Sequence, residues 1–406
     1  MKELVAAVRR GDSDEVTALL DAGADPDTPD ATDGLPVLCL AVAAYDRPVA
    51  EALLQAGADP LRRLPDGSTP LLRAVDGGSH LLTHALATSR IPLPAPARAE
   101  MLARARRWAE AGTEAELRRL TGHTGPVERI RVEDDEVGWW SEQLTLGGTT
   151  VRDEHRAVLT SMEARYGIRT PFDELVARAL AHPDRDHVVW CDVVFTLGRR
   201  LDEETWQWSR DLLDHPDRVH RLLAADLLLS LILGDVVTGH DPFWDRGRQL
   251  VPWAEQERDP EVLAVLLHAM THDSAPEIEA VGLSYLSHPD PRVRALVPET
   301  VHHPESLTTV LTLAHDEDPG VRGAVCHWLA HDRGSEPEVG DALVALTHDE
   351  QQSIRICAVS GLAVRDDPRC VEAEHRIGPL DPELPFDERL MDVWRYQRRR
   401  EAADGG

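Results

Sequence analysis

Apolar residues recur at helical spacing along most of this 406-residue chain. The clearest stretches are RVHRLLAADLLLSLI (218–232), PRVRALVPETV (291–301), PGVRGAVCHWLA (319–330) and QSIRICAVSGLAV (352–364). Each places leucine, valine or alanine three or four positions apart, which lays one apolar stripe along a helix. Residues 99–120 also read as helix, and helical patterns resume near 153–165 and 171–181. Two-residue alternation is found at 128–150, where Ile130 and Val132, then Leu144 and Leu146, alternate with polar neighbours. That spacing predicts a small β-hairpin near 128–147. IPLPAPAR at 91–98 reads as an extended proline-rich linker. The last segment, 376–406, reads as a tail with a short helix around Trp394, a basic RYQRRRE run and a fraying end.

The helical stretches form repeats. LLDAGADPD at 19–27 returns as LLQAGADPL at 53–61, with Gly23 and Gly57 34 residues apart. Asp33 with Gly34 returns as Asp66 with Gly67. The leucines end a helix, the glycine stops it in the left-handed conformation, and Asp-Gly turns the chain into the next unit. Further along, His-Pro-Asp or His-Asp marks helix boundaries at His182, His215, His272, His288, His315, His331 and His348.

Over about 1–90 these residues resemble the ankyrin-repeat family. Its TPLHxA signature stands here as TPLLRA at 69–74, with Leu72 in place of histidine. The preceding unit has PVLCLA at 36–41, with Pro36 and Cys39 in place of threonine and histidine. The resemblance implies about three helix–turn–helix units, the third degenerating after Gly77 and Gly78. It also implies that the Thr–His hydrogen bonds of the family are missing from both units. From about 175 to 370 the chain resembles HEAT-type repeats, through the xPxVRxxAxxxL pattern at 291–295 and 319–322. The fold these resemblances imply is mostly α: a helical-repeat solenoid, ankyrin-like at the N-terminus, with a HEAT- or armadillo-like superhelix behind it. The expected domains are 1–90, an irregular helical segment with linker and hairpin at 91–174, HEAT-like repeats at 175–375, and the tail at 376–406. Stacked repeats leave a long flank available for contact.

Charge narrows the partner. The 72 acidic residues outnumber the 43 basic ones, for a net charge of −29. Such a field repels nucleic-acid phosphates and anionic lipid and steers a basic protein or peptide inward. The expected partner is therefore a basic protein or peptide, with no nucleic acid and no membrane. Five scattered cysteines without a Cys-x-x-Cys pair suit a reducing compartment. With no apolar run long enough for a signal core or a bilayer span, the expectation is cytoplasmic.

Candidate chemistry is sparse. His268 with His272, and His327 with His331, share a helical face in the spacing that can hold zinc. Ala269 and Trp328, however, stand where a metalloprotease helix needs glutamate. Histidines at helix C-termini suit capping of free carbonyls instead. GGTT at 147–150 lacks the lysine of a phosphate loop. No catalytic centre, cofactor or metal is expected.

The contact residues expected are the acidic run Glu133, Asp134, Asp135 and Glu136 with the adjoining Trp139 and Trp140, and then Trp206 and Trp244. The first six form an acidic–aromatic lip able to grip an arginine by cation–π contact, or a solvated hairpin tip over buried tryptophans. Trp206 and Trp208 lie two apart on a helix, so they cannot both face the core.

The function read from all this is a non-enzymatic interaction scaffold or adaptor. Its rivals are an immunity or inhibitor protein against a basic toxin, and a HEAT-like DNA repair glycosylase. The glycosylase needs a cationic groove that a charge of −29 opposes. Arg292, Arg294, Arg322 and Arg355 occupy similar repeat positions. They form either a cationic ladder or ties between units through carboxylates such as Asp290 and Asp318.

Overall fold

A computed structural model of the chain describes residues 2–32, 34–89, 92–134, 138–234, 244–331, 336–380 and 387–404. These residues are mostly helical, with one small antiparallel sheet. They divide into two compact units, Met1–Arg200 and Leu201–Gly406. The boundaries expected at 90 and 174 therefore both fall inside the first unit.

In the first unit, six short helices form three pairs: Lys2–Arg10 with Ser13–Asp21, Val37–Ala43 with Arg47–Gln55, and Pro70–Asp76 with His80–Ala87. The first helices of the pairs pack in one row and the second helices in another. Side chains start the helices: Asp12, Asp46, Thr69 and Ser79 accept backbone N–H bonds from Glu15, Val49, Leu72 and Leu82. Each such cap contributes about 1 kcal/mol. Leu38, Leu53, Leu71 and Leu82 fill the space between the rows.

The helix Ala95–Ala111 packs on Pro70–Asp76. This corrects the expected extended linker at 91–98, because Pro94 is the cap and Pro96 sits in the first turn. Proline's fixed φ and missing N–H are suited to that place.

The predicted hairpin gains a third strand. Strands β1 (Glu128–Asp134), β2 (Trp139–Leu146) and β3 (Thr149–Arg152) pair antiparallel in that order. Leu144, Leu146 and Val151 pack against Trp108 and Leu117. β1 is an edge strand, and its Ile130 is 49% exposed despite the alternation.

The sheet is tied to the helix pairs at Gly77 and Gly78. The Arg152 N–H donates to the Gly77 carbonyl at 2.8 Å. Tyr45 Oη donates to the same carbonyl at 2.9 Å. Gly78 has φ +68°, and a Cβ there would lie 2.0 Å from the Arg152 carbonyl oxygen. The third repeat, expected to degenerate after Gly77 and Gly78, is instead completed by the helix His80–Ala87, which packs on Arg47–Gln55 as the repeat requires. Helices His155–Arg165, Phe172–Leu180 and Val188–Gly198 complete the unit.

The second unit is built on one local device, used four times. Arg221, Arg294, Arg322 and Arg355 each donate to two backbone carbonyls five and six positions earlier. The residue six before the arginine is His215, His288, Asp316 or Asp349. Its side chain accepts the N–H of the residue two further on: Asp217, Asp290, Asp318 or Gln351. Arginine and acceptor together lock the turn that launches the next helix.

Three of these arginines also reach forward to a carboxylate. Arg221 pairs with Glu257, Arg294 with Asp316 and Arg322 with Asp349. Arg355 instead donates to the Ile377 carbonyl at 2.9 Å. The carboxylates expected to make these ties, Asp290 and Asp318, serve otherwise: both accept N–H bonds at the starts of their own helices. Arg292 folds back onto Asp290 and takes no part.

The Glu257 turn shows where the ladder breaks. Glu257 accepts the Asp259 N–H as its counterparts do, but the residue six further on is the buried Leu263, which has no charge to pass along. The tail helix Asp392–Asp404 contains the RYQRRRE run and buries Val393 and Tyr396 in the same core as Gln352–Val364. Among the described residues, no helix is long and apolar enough to cross a membrane.

Candidate functional site

β2 carries Trp139 and Trp140 from the hairpin tip toward buried polar groups. The Trp140 N–H donates to the Asp186 carbonyl at 3.0 Å. Its indole meets the His187 ring edge-on, with centroids 4.8 Å apart. Trp139 packs on Ala157, Val188 and Val189 and lies 6.2 Å from the His80 ring. Both indoles are half-buried.

Of the four acids of the lip, two belong to the described residues. Glu133 is exposed and Asp134 partly buried, while Asp135 and Glu136 lie outside the described residues. The cation over Trp140 is the chain's own Arg131, 4.3 Å from the ring centroid and bonded to Glu133 at 2.8 Å. The face expected to grip an incoming arginine therefore already carries one.

Trp206 is corrected as a contact residue, because it is fully buried. Its helix, Glu203–Leu212, turns Thr205, Trp206 and Ser209 inward. Trp208, two positions on, takes the exposed side at 36%. Trp244 begins the 3-10 turn Trp244–Leu250, and its side chain lies outside the described residues.

Beneath Trp140 sits a group that the sequence did not announce. Asp153 Oδ2 lies 3.5 Å from His182 Nδ1 and 3.4 Å from His187 Nε2. The two imidazoles stack with centroids 4.1 Å apart. The three donor atoms lie within 4.8 Å of one another, close enough for one divalent cation. Hydrogen bonding decides against that use. His187 caps the helix Val188–Gly198, and its Nδ1 accepts the Val189 N–H at 3.2 Å. Nδ1 therefore holds the lone pair, and in the neutral ring the proton is on Nε2, facing Asp153. A metal at Nε2 would require the cap to be given up.

The trio reads instead as one carboxylate facing two stacked rings, with their nearest nitrogens 3.5 and 3.4 Å away. Burial pushes the Asp153 carboxyl up, but the His187 hydrogen bond and the two histidines outweigh it, and the net pKa falls below the usual value. Burial, then the neighbouring His187, lowers His182 to about 4.

A second buried set lies on the other side of Trp139. Glu154 accepts the His80 N–H at 2.6 Å and the Ser141 hydroxyl at 2.7 Å. His80 Nε2 lies 3.5 Å from Asp192 Oδ1, long for a hydrogen bond. Beside it opens a cavity of about 590 Å³. His80, Asp153, Glu154, His187 and Asp192 carry no sequence signal, because they come from separate segments with no mutual spacing.

The i,i+4 histidine pairs behave differently from one another. The His268 and His272 rings are 6.4 Å apart. His331 Nδ1–H donates to the His327 carbonyl at 2.8 Å, which caps that helix end.

No protein-family model and no curated protein matches this chain. Among solved structures, the X-ray structure of Escherichia coli YibA, a structural-genomics target, is similar at 15% identity. The match covers 59% of this chain and 96% of that one, with a TM-score of 0.44.

Proposed function

We propose that this chain is a non-enzymatic interaction scaffold, made of ankyrin-like and HEAT-like repeats stacked as a solenoid, and that its partner is a basic protein or peptide. The observation that supports this most is the placement of the arginines in the second unit. The Arg294 and Arg322 side chains are 9% and 16% exposed, each held by its own turn and by a carboxylate further along. Those arginines are used inside the fold, while the 72 acids of the chain outnumber its 43 bases. The surplus of −29 then acts on whatever approaches.

An inhibitor of a basic toxin is a special case of the same physics. The glycosylase reading needs those arginines on a DNA-facing groove, and they are tied to carboxylates instead. We place the scaffold in the cytoplasm, with its five cysteines reduced.

The test is anisotropy of a labelled arginine-rich peptide and of its glutamate-rich counterpart. The scaffold reading expects the basic peptide alone to bind, with affinity falling steeply as salt rises. Equal binding of the two peptides, or binding of duplex DNA in their place, overturns it.

A further inference from the structure

We infer that the cavity beside Trp139 in the first unit is a binding site for a small organic anion, an acid group on an apolar body. The inference is independent of the acidic-surface reading above. Its volume of about 590 Å³ lies in the range of sites that enclose small molecules.

The walls have two characters. Phe195 is 54% exposed and Ile168 is 43% exposed, both lining the cavity with Trp139. An aromatic ring and a branched chain left open to solvent offer apolar area that a ligand body can cover at roughly 25 cal/mol per Å².

The polar lining is positive within an acidic protein. Arg165, Arg169, Arg199 and Arg200 all border the cavity, against the single carboxylate of Asp192. Two of these cations are held in place: Arg199 lies 5.2 Å over the Phe195 ring, and Arg200 donates to the Thr170 carbonyl at 2.5 Å. Guanidinium groups positioned in advance lose little freedom when they bind a carboxylate, sulfonate or phosphate.

The lining also contains an incomplete buried pair. His80 is 6% exposed and Asp192 is 4% exposed. Neither ring nitrogen of His80 nor Asp192 Oδ2 has a hydrogen-bond partner. Buried polar atoms in that state cost about 1–3 kcal/mol each, which a ligand's polar group recovers by bonding to them. Burial disfavours charge on His80, but Asp192 and Glu154 outweigh it and hold the ring above its ordinary pKa.

Anilinonaphthalene sulfonate, with one anionic group on an aromatic body, is a suitable probe, and uncharged phenylnaphthylamine is its control. On the full chain, saturable single-site fluorescence is expected from the sulfonate, with the neutral probe binding at least about tenfold more weakly. Arg165→Glu and Phe195→Ser alter exposed side chains. Each is expected to weaken sulfonate binding about tenfold with an unchanged thermal midpoint. Trp394→Ser, at an exposed aromatic in the second unit, is expected to leave binding as it was. Wild-type affinity in both cavity variants, equal binding of the neutral probe, absence of saturable binding, or loss on Trp394→Ser in their place would each overturn the assignment.

Discussion

Buried polar groups are handled differently in the two units. In Met1–Arg200 they include three histidines, His80, His155 and His187, beside acids such as Glu116 and Glu163 that pair with arginines. His155, stacked on Trp108 at 4.3 Å, has Nε2 3.3 Å from the Asp76 carbonyl and Nδ1 3.3 Å from the Thr113 hydroxyl. A carbonyl only accepts, so Nε2 carries a proton, and burial disfavours a second one on Nδ1. Leu201–Gly406 has no buried histidine among the described residues, and arginine–carboxylate pairs recur there at one turn position. The first unit has a buried pair too, Arg178 on Glu163, but it joins a helix to its neighbour without the turn device. A neutral buried ring is vulnerable to protons near neutrality, and an ion pair only well below it. The two halves should therefore fail under different conditions.

The largest effect expected is from Gly78→Ala. With φ at +68° and the Arg152 carbonyl oxygen 2.0 Å from the new Cβ, helix pair or strand must move. A loss of more than about 4 kcal/mol is expected in urea unfolding of the first unit. A loss near that of an ordinary surface change would show that the strand is not held there. Next is Arg294→Ala, which strands Asp316 where both side chains are 9% exposed. It should cost the second unit about 3 kcal/mol, while Arg292→Ala, outside the ladder, costs under about 0.5 kcal/mol.

The pH response sharpens the contrast. Burial lowers His155 to about 4, so between that value and the ordinary 6.5 the unfolded chain binds a proton that the folded chain refuses. Stability from this site is complete above 6.5 and is lost as pH falls toward 4, by up to about 3 kcal/mol. In the second unit, burial raises the Glu279 carboxyl. Bonds from Ser306, His303 and the His302 and His303 N–H groups outweigh that and bring it to about 2. Its contribution is present above 4.5 and disappears as pH falls to about 2; after screening it is about 1 kcal/mol. Acid titration followed by hydrogen exchange should show the first unit opening at the higher pH, and His155→Gln and Glu279→Gln should each flatten one limb.

The smallest effect concerns the lip. Arg131→Ala uncovers the Trp140 face and removes a local cation, so arginine-rich peptide should bind about threefold more tightly by anisotropy, near the 0.5–1 kcal/mol of an exposed cation–π contact. Weaker binding would remove Trp140 from the contact surface.

Much of the architecture could be read from local signals. The capping residues Asp12, Asp46, Thr69 and Ser79 stand just before their helices, and the recurring histidine or aspartate marks the turns it occupies. The arginine period was visible, but not which carboxylate each arginine would reach. Asp290 and Asp318 lie close in sequence and were taken up by their own N-termini, which left Asp316 and Asp349 for the longer reach. Ile130 and Leu144 carry the same alternating signal, yet only Leu144 is buried. An edge strand with nothing packed on it repeats the pattern of a covered one.

Helix period, caps and turn residues depend on neighbours within about one helical turn, so the order of residues alone determined them, as composition alone determined net charge. The Asp153 carboxylate under Trp140, the arginine-lined cavity with His80 and Asp192, and the choice of Trp208 over Trp206 for the surface depend on segments tens of residues apart. Burial and hydrogen bonding become defined for such groups only once packing brings those segments together, and tertiary structure alone decided them.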